Sequence, residues 1–334
     1  MRIAIDAMGG DLAPAAIVEG GVQAARVSKG RYEVVLVGDE RKIQTELSKY
    51  SLDNLPLNVY HASQKIEMNE PPTAALREKK DSSIGVAVRL HKEKQVDAVV
   101  SAGNTGAFMT AALLELGRIS GVNRPALGSF IPTEKGVCVV IDAGANADCK
   151  PINLLQFAVM GSVYVGHVFD TQNPTVGLLS IGEEESKGNK LTREAHQLLK
   201  KSHLNFIGNV EGRDILKGRA EVVVCDGFVG NVVLKLAESM VGMLTSTIRK
   251  TVGGNIFGNI GAYLLRPTFR KLRKLMDYQE YGGVPFLGIN GVSIKCHGSS
   301  TPKAVRNAIR EAQKMITENV NRLIELEIDK GLGG

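Results

Sequence analysis

The chain contains no tryptophan, and aromatic residues make up only 5% of its 334 positions. Its core must therefore be built mainly from Val, Ile, Leu and Ala. Cysteine is scarce too. Cys138, Cys149, Cys225 and Cys296 form no C-x-x-C pair, so the usual zinc and dithiol motifs are excluded. Free thiols in a reducing cytoplasm are the expectation. Neither G-x-x-x-x-G-K-[ST] nor G-x-G-x-x-G occurs, which removes support for a simple NTPase or an NAD-linked dehydrogenase. No signal-peptide pattern precedes the apolar start Met1–Asp6. No uninterrupted apolar run reaches the ~18 residues that suggest a membrane span. The histidines form no E-x-x-H or H-x-x-x-H pattern, so no metal site is expected. The formal charge is +6. Without a long Lys/Arg tract, this charge suits phosphate, an acidic protein or an anionic membrane surface better than nucleic acid.

What is present is a rhythm of short apolar runs and helical patterns. Arg2–Asp6, Glu33–Val37, Asp97–Ser101, Val137–Asp142, Thr175–Ile181 and Glu221–Cys225 read as buried strands. Their hydrophobicity is continuous rather than alternating, as in strands covered on both faces. Strands alternating with helices predict a mainly parallel, doubly wound α/β sheet. The C-terminal third differs. Val229 to about Val252 reads as one helix of ~35 Å. A Gly-rich break follows, and a second helical pattern begins near Pro267. The two arms predict a projecting helical hairpin at about 229–280 within one catalytic domain spanning 1–334. From Pro302 to about Lys330 one long amphipathic helix is predicted to close the chain.

Four strand ends carry small, polar, glycine-rich loops that open helices. They are Asp6-Ala7-Met8-Gly9-Gly10-Asp11, Ser101-Ala102-Gly103-Asn104-Thr105-Gly106, Asp142-Ala143-Gly144-Ala145-Asn146 and Asp226-Gly227-Phe228-Val229-Gly230-Asn231. In the predicted parallel sheet all four lie on one edge, outside the carboxyl ends of the strands, where doubly wound sheets bind ligands. Glycine allows backbone N–H groups to approach an anion, and a helix N-terminus adds unpaired donors. Asn104, Thr105 and Asn231 add neutral donors. One such loop alone is more often a turn or a cap; four together favour a ligand site.

The run Leu178–Asn189 places three glutamates and then Lys187 after a strand. The glutamates fit a solvated loop. Lys187 can hold phosphate or stabilise a developing oxyanion. His297, in Lys295-Cys296-His297-Gly298-Ser299-Ser300, fits a helix cap and a ligand role equally.

These segments together resemble the bacterial acyl-acyl-carrier-protein:phosphate acyltransferases of phospholipid synthesis. The resemblance rests on Asp6–Asp11 (DAMGGD), Ser101–Ala107 (SAGNTGA), Asp142–Asn146 (DAGAN), Leu178–Asn189 (LLSIGEEESKGN), Asn209–Ile215 (NVEGRDI), Asp226–Lys235 (DGFVGNVVLK), Tyr281–Gly291 (YGGVPFLGING) and His297–Ser300 (HGSS), in this order along nearly the whole chain. It implies a Rossmann-like three-layer α/β/α fold related to phosphotransacetylases, and a homodimer built through long helices. It also implies transfer of a long-chain acyl group from acyl carrier protein to inorganic phosphate. The acyl phosphate would feed a membrane acyltransferase that acylates glycerol 3-phosphate. No metal or organic cofactor is implied.

Under that resemblance, Lys187 and Asn231 are expected near the reacting carbonyl. Gly9, Gly10, Asn104, Thr105, Gly106 and Asn146 are expected to hold phosphate. Asp6, Asp142, Asp226 and His297 are expected to orient these donors, because a carboxylate would repel the phosphate itself. The uncharged segment 253–265, with Ile256, Phe257, Ile260 and Leu264, lies between Arg249-Lys250 and Arg266. It suits an anionic membrane surface, giving a cytoplasmic protein peripherally attached to the membrane, or burial against a partner subunit. Two other readings compete: a phosphotransacetylase-like enzyme using acyl-CoA, and a non-catalytic membrane-surface adaptor.

Overall fold

The computed structural model describes residues 1–252, 265–267, 280 and 282–332. The elements run β1 (Arg2–Asp6), α1 (Ala15–Ser28), β2 (Glu33–Gly38), α2 (Glu40–Leu47), β3 (Leu57–His61), α3 (Pro72–Glu78), α4 (Ser83–Lys92), β4 (Ala98–Ser101) and α5 (Thr105–Glu115). There follow β5 (Ala126–Thr133), β6 (Gly136–Ile141), α6 (Pro151–Val168), β7 (Val176–Leu179), α7 (Lys190–Lys201), β8 (Phe206–Val210), α8 (Gly212–Leu216) and β9 (Val222–Val224). The last are α9 (Gly227–Val252), β10 (Val284–Leu287), β11 (Val292–Lys295), α10 (Pro302–Thr317) and α11 (Val320–Leu332).

The strands form one sheet in the order β3-β2-β1-β4-β11-β10-β5-β6-β9-β7-β8. The five strands β3, β2, β1, β4 and β11 are mutually parallel. So are β6, β9, β7 and β8. Between them, β11–β10, β10–β5 and β5–β6 are antiparallel. Three reversals leave the two parallel halves pointing in opposite directions. The sheet is α/β and mostly parallel, as the sequence predicts, but it does not have one carboxyl edge.

Side-chain alternation separates the two faces. One face carries a single continuous core: Ile3 and Ile5 of β1, Val34 and Leu36 of β2, Val139 and Ile141 of β6 and Val222 and Val224 of β9, packed under α1, α6, α10 and α11. Helix α6 is apolar nearly all round and buried accordingly. A Cβ at Gly161 would meet Val222 Cγ1 at 2.7 Å, so glycine lets α6 lie close on the sheet. The opposite face carries two separate cores. One joins Ala4, Val35, Val99, Leu127 and Phe286 to α3, α4 and α5. The other joins Ile131, Cys138, Val140 and Val223 to Ile215 of α8 and Val233 of α9. On β5 the hydroxyl residue Ser129 lies between Leu127 of one core and Ile131 of the other.

Two predicted helices change. The closing helix is two helices, because Asn319 takes a left-handed conformation (φ 52°) that ends α10 and re-aims the chain into α11. Helix α9 begins at Gly227, and its stretch Gly227–Ile248 is long and apolar enough to cross a bilayer by length and composition, although Lys235 and Glu238 interrupt the apolar run. The tip and second arm of the predicted hairpin, with Ile256, Phe257, Ile260 and Leu264, lie outside the described residues.

Candidate active site

The four polar loops form two pairs at opposite rims of the sheet, not one group on one edge. The reversals at β10, β5 and β6 are the reason. Asp6, Gly9, Gly10, Asn104, Thr105, Gly106 and His297 follow β1, β4 and β11. Asp142, Asn146, Asp226, Asn231 and Lys187 follow β6, β9 and β7, three adjacent strands.

At the first rim, Asp6 is 2% exposed. Its Oδ1 accepts from Ser83 Oγ (2.6 Å) and Met8 N (3.3 Å), and its Oδ2 accepts from Ser101 Oγ (2.6 Å). Burial pushes its carboxyl above the usual range, while these hydrogen bonds pull it back down. Gly9 must be glycine, since a Cβ would strike the Asp6 carboxylate and come within 2.7 Å of Gly103 N. Asp11 N donates to Gly298 O (2.8 Å), which ties the loop after β1 to the loop after β11. Asn104 caps α5 through Oδ1, which accepts from Ala107 N (3.0 Å). Its Nδ2 donates to the carbonyls of Glu67, Met68 and Glu70 at 3.0 to 3.3 Å. The Asn104 amide is thus engaged in holding the 67–70 turn. Thr105 is exposed at the start of α5, and Gly106 lies against Pro72. His297 is exposed, with Nδ1 at 2.8 Å from Ser299 Oγ, a local turn contact. Beside this rim lies a cleft of about 540 Å³, lined in part by Met8, Gly10, Asp11, Lys42, Lys65 and Met68.

At the second rim, Asp142 is fully buried. Its Oδ1 accepts from the N–H groups of Leu127, Gly144 and Ala145 at 3.0 to 3.2 Å. Its Oδ2 accepts from Asn146 N (2.7 Å) and Asn146 Nδ2 (2.8 Å). Burial raises this carboxyl's pKa, and the N–H donors oppose it. Asn146 Nδ2 also donates to Pro125 O (2.8 Å). The Asp142–Asn146 loop is therefore internally satisfied and rigid. Asp226 Oδ1 accepts from Val229 N (2.9 Å) and caps α9. A Cβ at Gly227 would meet Asn146 O and Asp142 Oδ2 at 2.7 Å, and one at Gly230 would collide with Asp142 O. These glycines let the start of α9 press directly on the Asp142 loop. Asn231 emerges there, exposed and 3.5 Å from the space beside Gly144.

Lys187 is exposed on the neighbouring loop. Its backbone N donates to Glu184 O (3.0 Å) and its carbonyl accepts from Ser180 Oγ (3.3 Å). Two of the three adjacent acids have partners: Glu183 with Arg219 (2.8 Å) and Glu185 with Lys200 (2.6 Å). Both carboxyls sit below their usual range because of those partners. Among the described residues, the Lys187 ammonium has no ion pair. Asn209 Nδ2 donates to Glu184 O (2.9 Å), and Asn209 Oδ1 lies 2.9 Å from His196 Nδ1, which anchors the loop to β8 and α7.

A sequence profile described as "Fatty acid synthesis protein" matches residues 1–323. The phosphate acyltransferase of Pelotomaculum thermopropionicum is 49% identical over 338 residues, covering 100% of this chain and 98% of that protein. That of Heliobacterium modesticaldum is 51% identical over 329 residues, 98% of each. The chain belongs to the phosphate acyltransferase family. It is an acyltransferase. Solved structures agree in fold: a phosphotransacetylase from Streptococcus pyogenes has a TM-score of 0.62 at 19% identity, covering 95% of this chain and 94% of that one. The EutD phosphotransacetylase from Staphylococcus aureus has a TM-score of 0.59 at 16% identity, with 94% of each covered.

Sequence reasoning missed two polar residues at the first rim. Ser83 carries no local signal, since only tertiary folding brings it to Asp6. Lys295 carries none either: alternation in Val292-Ser293-Ile294-Lys295 puts Val and Ile on the apolar face and reads the lysine as outward, and only register shows it buried.

Proposed function

We propose that this enzyme transfers a long-chain acyl group from acyl carrier protein to inorganic phosphate. A phosphate oxygen attacks the thioester carbonyl, the C–S bond breaks, and the carrier leaves as a thiol after taking up a proton. The products are acyl phosphate and free carrier. Phosphate is already partly dianionic near neutral pH, so orientation and charge relief on the carbonyl oxygen outweigh the need for a strong base. The observation that carries this reading is the second rim, where exposed Asn231 and Lys187 rise from adjacent strand ends around the rigid Asp142 loop. Lys187 offers a cation to the developing oxyanion, and Asn231 an amide. The acyl phosphate would then serve a membrane acyltransferase that acylates glycerol 3-phosphate.

Helix α9 supports a homodimer in this reading. Val229, Val232, Leu236, Met240 and Met243 recur at three- and four-residue spacings along one face and are all exposed in the single chain. Such a stripe suits a second copy of the same helix. A cytoplasmic enzyme resting on an anionic membrane through the segment beyond α9 completes the proposal, since its product partitions into lipid.

The direct test mixes enzyme, phosphate and a palmitoyl carrier protein, then traps acyl phosphate with hydroxylamine. The reading requires hydroxamate that depends on phosphate and on Lys187. The fold shared with phosphotransacetylases favours a second donor, acyl-CoA. Faster turnover with acyl-CoA than with the carrier would select that alternative. A non-catalytic adaptor would yield no hydroxamate with either donor.

A further inference from the structure

Register places a polar row across the middle of the divided face. Asp6 of β1 pairs with Ser101 of β4, and Ser101 pairs with Lys295 of β11. All three side chains share the face of Ala4 and Val99, two residues earlier on their strands. Ser129 of β5 continues the row in the gap between the two cores.

Lys295 is the unusual member. It is 6% exposed. Its ammonium donates to the Cys296 carbonyl. An ammonium carries three protons, and among the described residues no carboxylate lies within ion-pair distance of this one. Asp6 and Asp11 are near enough to attract its charge, and Lys235 is near enough to repel it. Asp6, however, has both oxygens engaged by Ser83, Ser101 and Met8 N. A buried cation without a bonded counter-ion is costly. Lys235 comes from the other half of the molecule. It lies four residues after Asn231 on α9, on the same helix face. Lys235 is itself paired with Glu238 (2.9 Å) on the exposed surface of α9, so its charge reaches Lys295 only as a partly neutralised neighbour.

We infer that buried Lys295 binds a phosphoryl oxyanion on the divided face, between the two cores, with Lys235 of α9 as a weaker contributor. This rests on phosphate being a substrate. Burial, the largest cause, lowers the Lys295 pKa to about 8, and a bound anion would raise it again. The phosphoryl group has two possible sources: free phosphate, or the phosphodiester of the carrier's phosphopantetheine arm. The competing role for Lys295 is neutralisation of Asp6, which would affect stability and leave phosphate binding alone.

The test is calorimetric titration of the full chain with inorganic phosphate and, separately, with 4′-phosphopantetheine. Loss of a charge-assisted hydrogen bond should weaken binding about 10- to 100-fold in Lys295→Gln. The losing arm identifies the source. In turnover, Lys295→Gln should mainly raise the KM for the affected substrate, whereas Lys187→Ala should mainly lower kcat. Lys235→Gln, at an exposed position, should weaken the same arm about threefold through lost potential. Should Lys295→Gln not fold, Lys235→Gln decides alone. Unchanged affinity in both arms for a folded variant overturns the inference and leaves the transfer reaction standing. Wild-type phosphate binding without acyl transfer does the reverse.

Discussion

The two faces of the sheet do different work. One is an unbroken apolar core beneath α1, α6, α10 and α11. The other is split in two, with Asp6, Ser101, Lys295 and Ser129 in and beside the gap. An unbroken core maximises buried area, and a split one gives up some of it. What the split provides is room on that face for the buried polar groups Asp6, Ser101, Lys295 and Ser129. The comparison teaches that one side of the strands is given to apolar packing, and that the other side of the same strands is where the proposed reading puts the chemistry.

The strongest way to break this comparison is to damage the continuous face. Phe157 of α6 is fully buried there. Phe157→Ala should cost about 3–5 kcal/mol in denaturant unfolding. Its turnover per folded molecule should stay within a factor of about two. A large loss of turnover without a loss of stability would contradict the division.

At the second rim the converse should hold. Lys187→Ala should lower acyl transfer about 10²- to 10³-fold. Its melting temperature should hardly move, because surface changes usually fall within ±0.5 kcal/mol.

The continuous face should also carry a pH dependence of its own. The Tyr164 hydroxyl donates to the half-buried Glu311 carboxylate between α6 and α10. Burial, the largest cause, raises Glu311 to about 7 from an ordinary 4.5. Between these values the folded protein binds more protons than the unfolded chain. This contribution is therefore fully present below about 4.5 and is lost as pH rises through about 7. The expected decline is roughly 2–4 kcal/mol. Urea melts across that window should show it, and Glu311→Gln should flatten it. A slope unchanged in the variant would remove Glu311 as the cause.

The smallest effect should come from Asn104, which caps α5 and holds the 67–70 turn. Asn104→Ala should destabilise by about 1–2 kcal/mol. If phosphate affinity fell more than stability did, Asn104 would rank as a ligand residue as well as a cap.

The sequence was legible where strands are dense and followed by helices. β1, β2, β4, β6, β7 and β9 lie close to their predicted positions. β3 and β8 were missed because they are edge strands with polar residues such as Asn58, His61 and Asn209. β10 and β11 were missed because they are four residues long and sit among Gly and Pro. β5 was missed as well, and with β10 it produces the reversals that separate the loops. Strand direction is a tertiary property, so four similar glycine-rich loops could be recognised individually while their shared edge was wrong. Lys187 and Asn231 were legible as polar groups at strand ends. The buried row through Lys295 needed register, which no local pattern supplies.

Phosphorus NMR of enzyme, inorganic phosphate and palmitoyl carrier protein, with parallel thiol titration, tests the central claim most directly. The account predicts one acyl phosphate formed for each carrier thiol released, with neither product appearing when phosphate is omitted. Thiol release without an acyl phosphate resonance would mean that water is the acceptor, and would contradict the account.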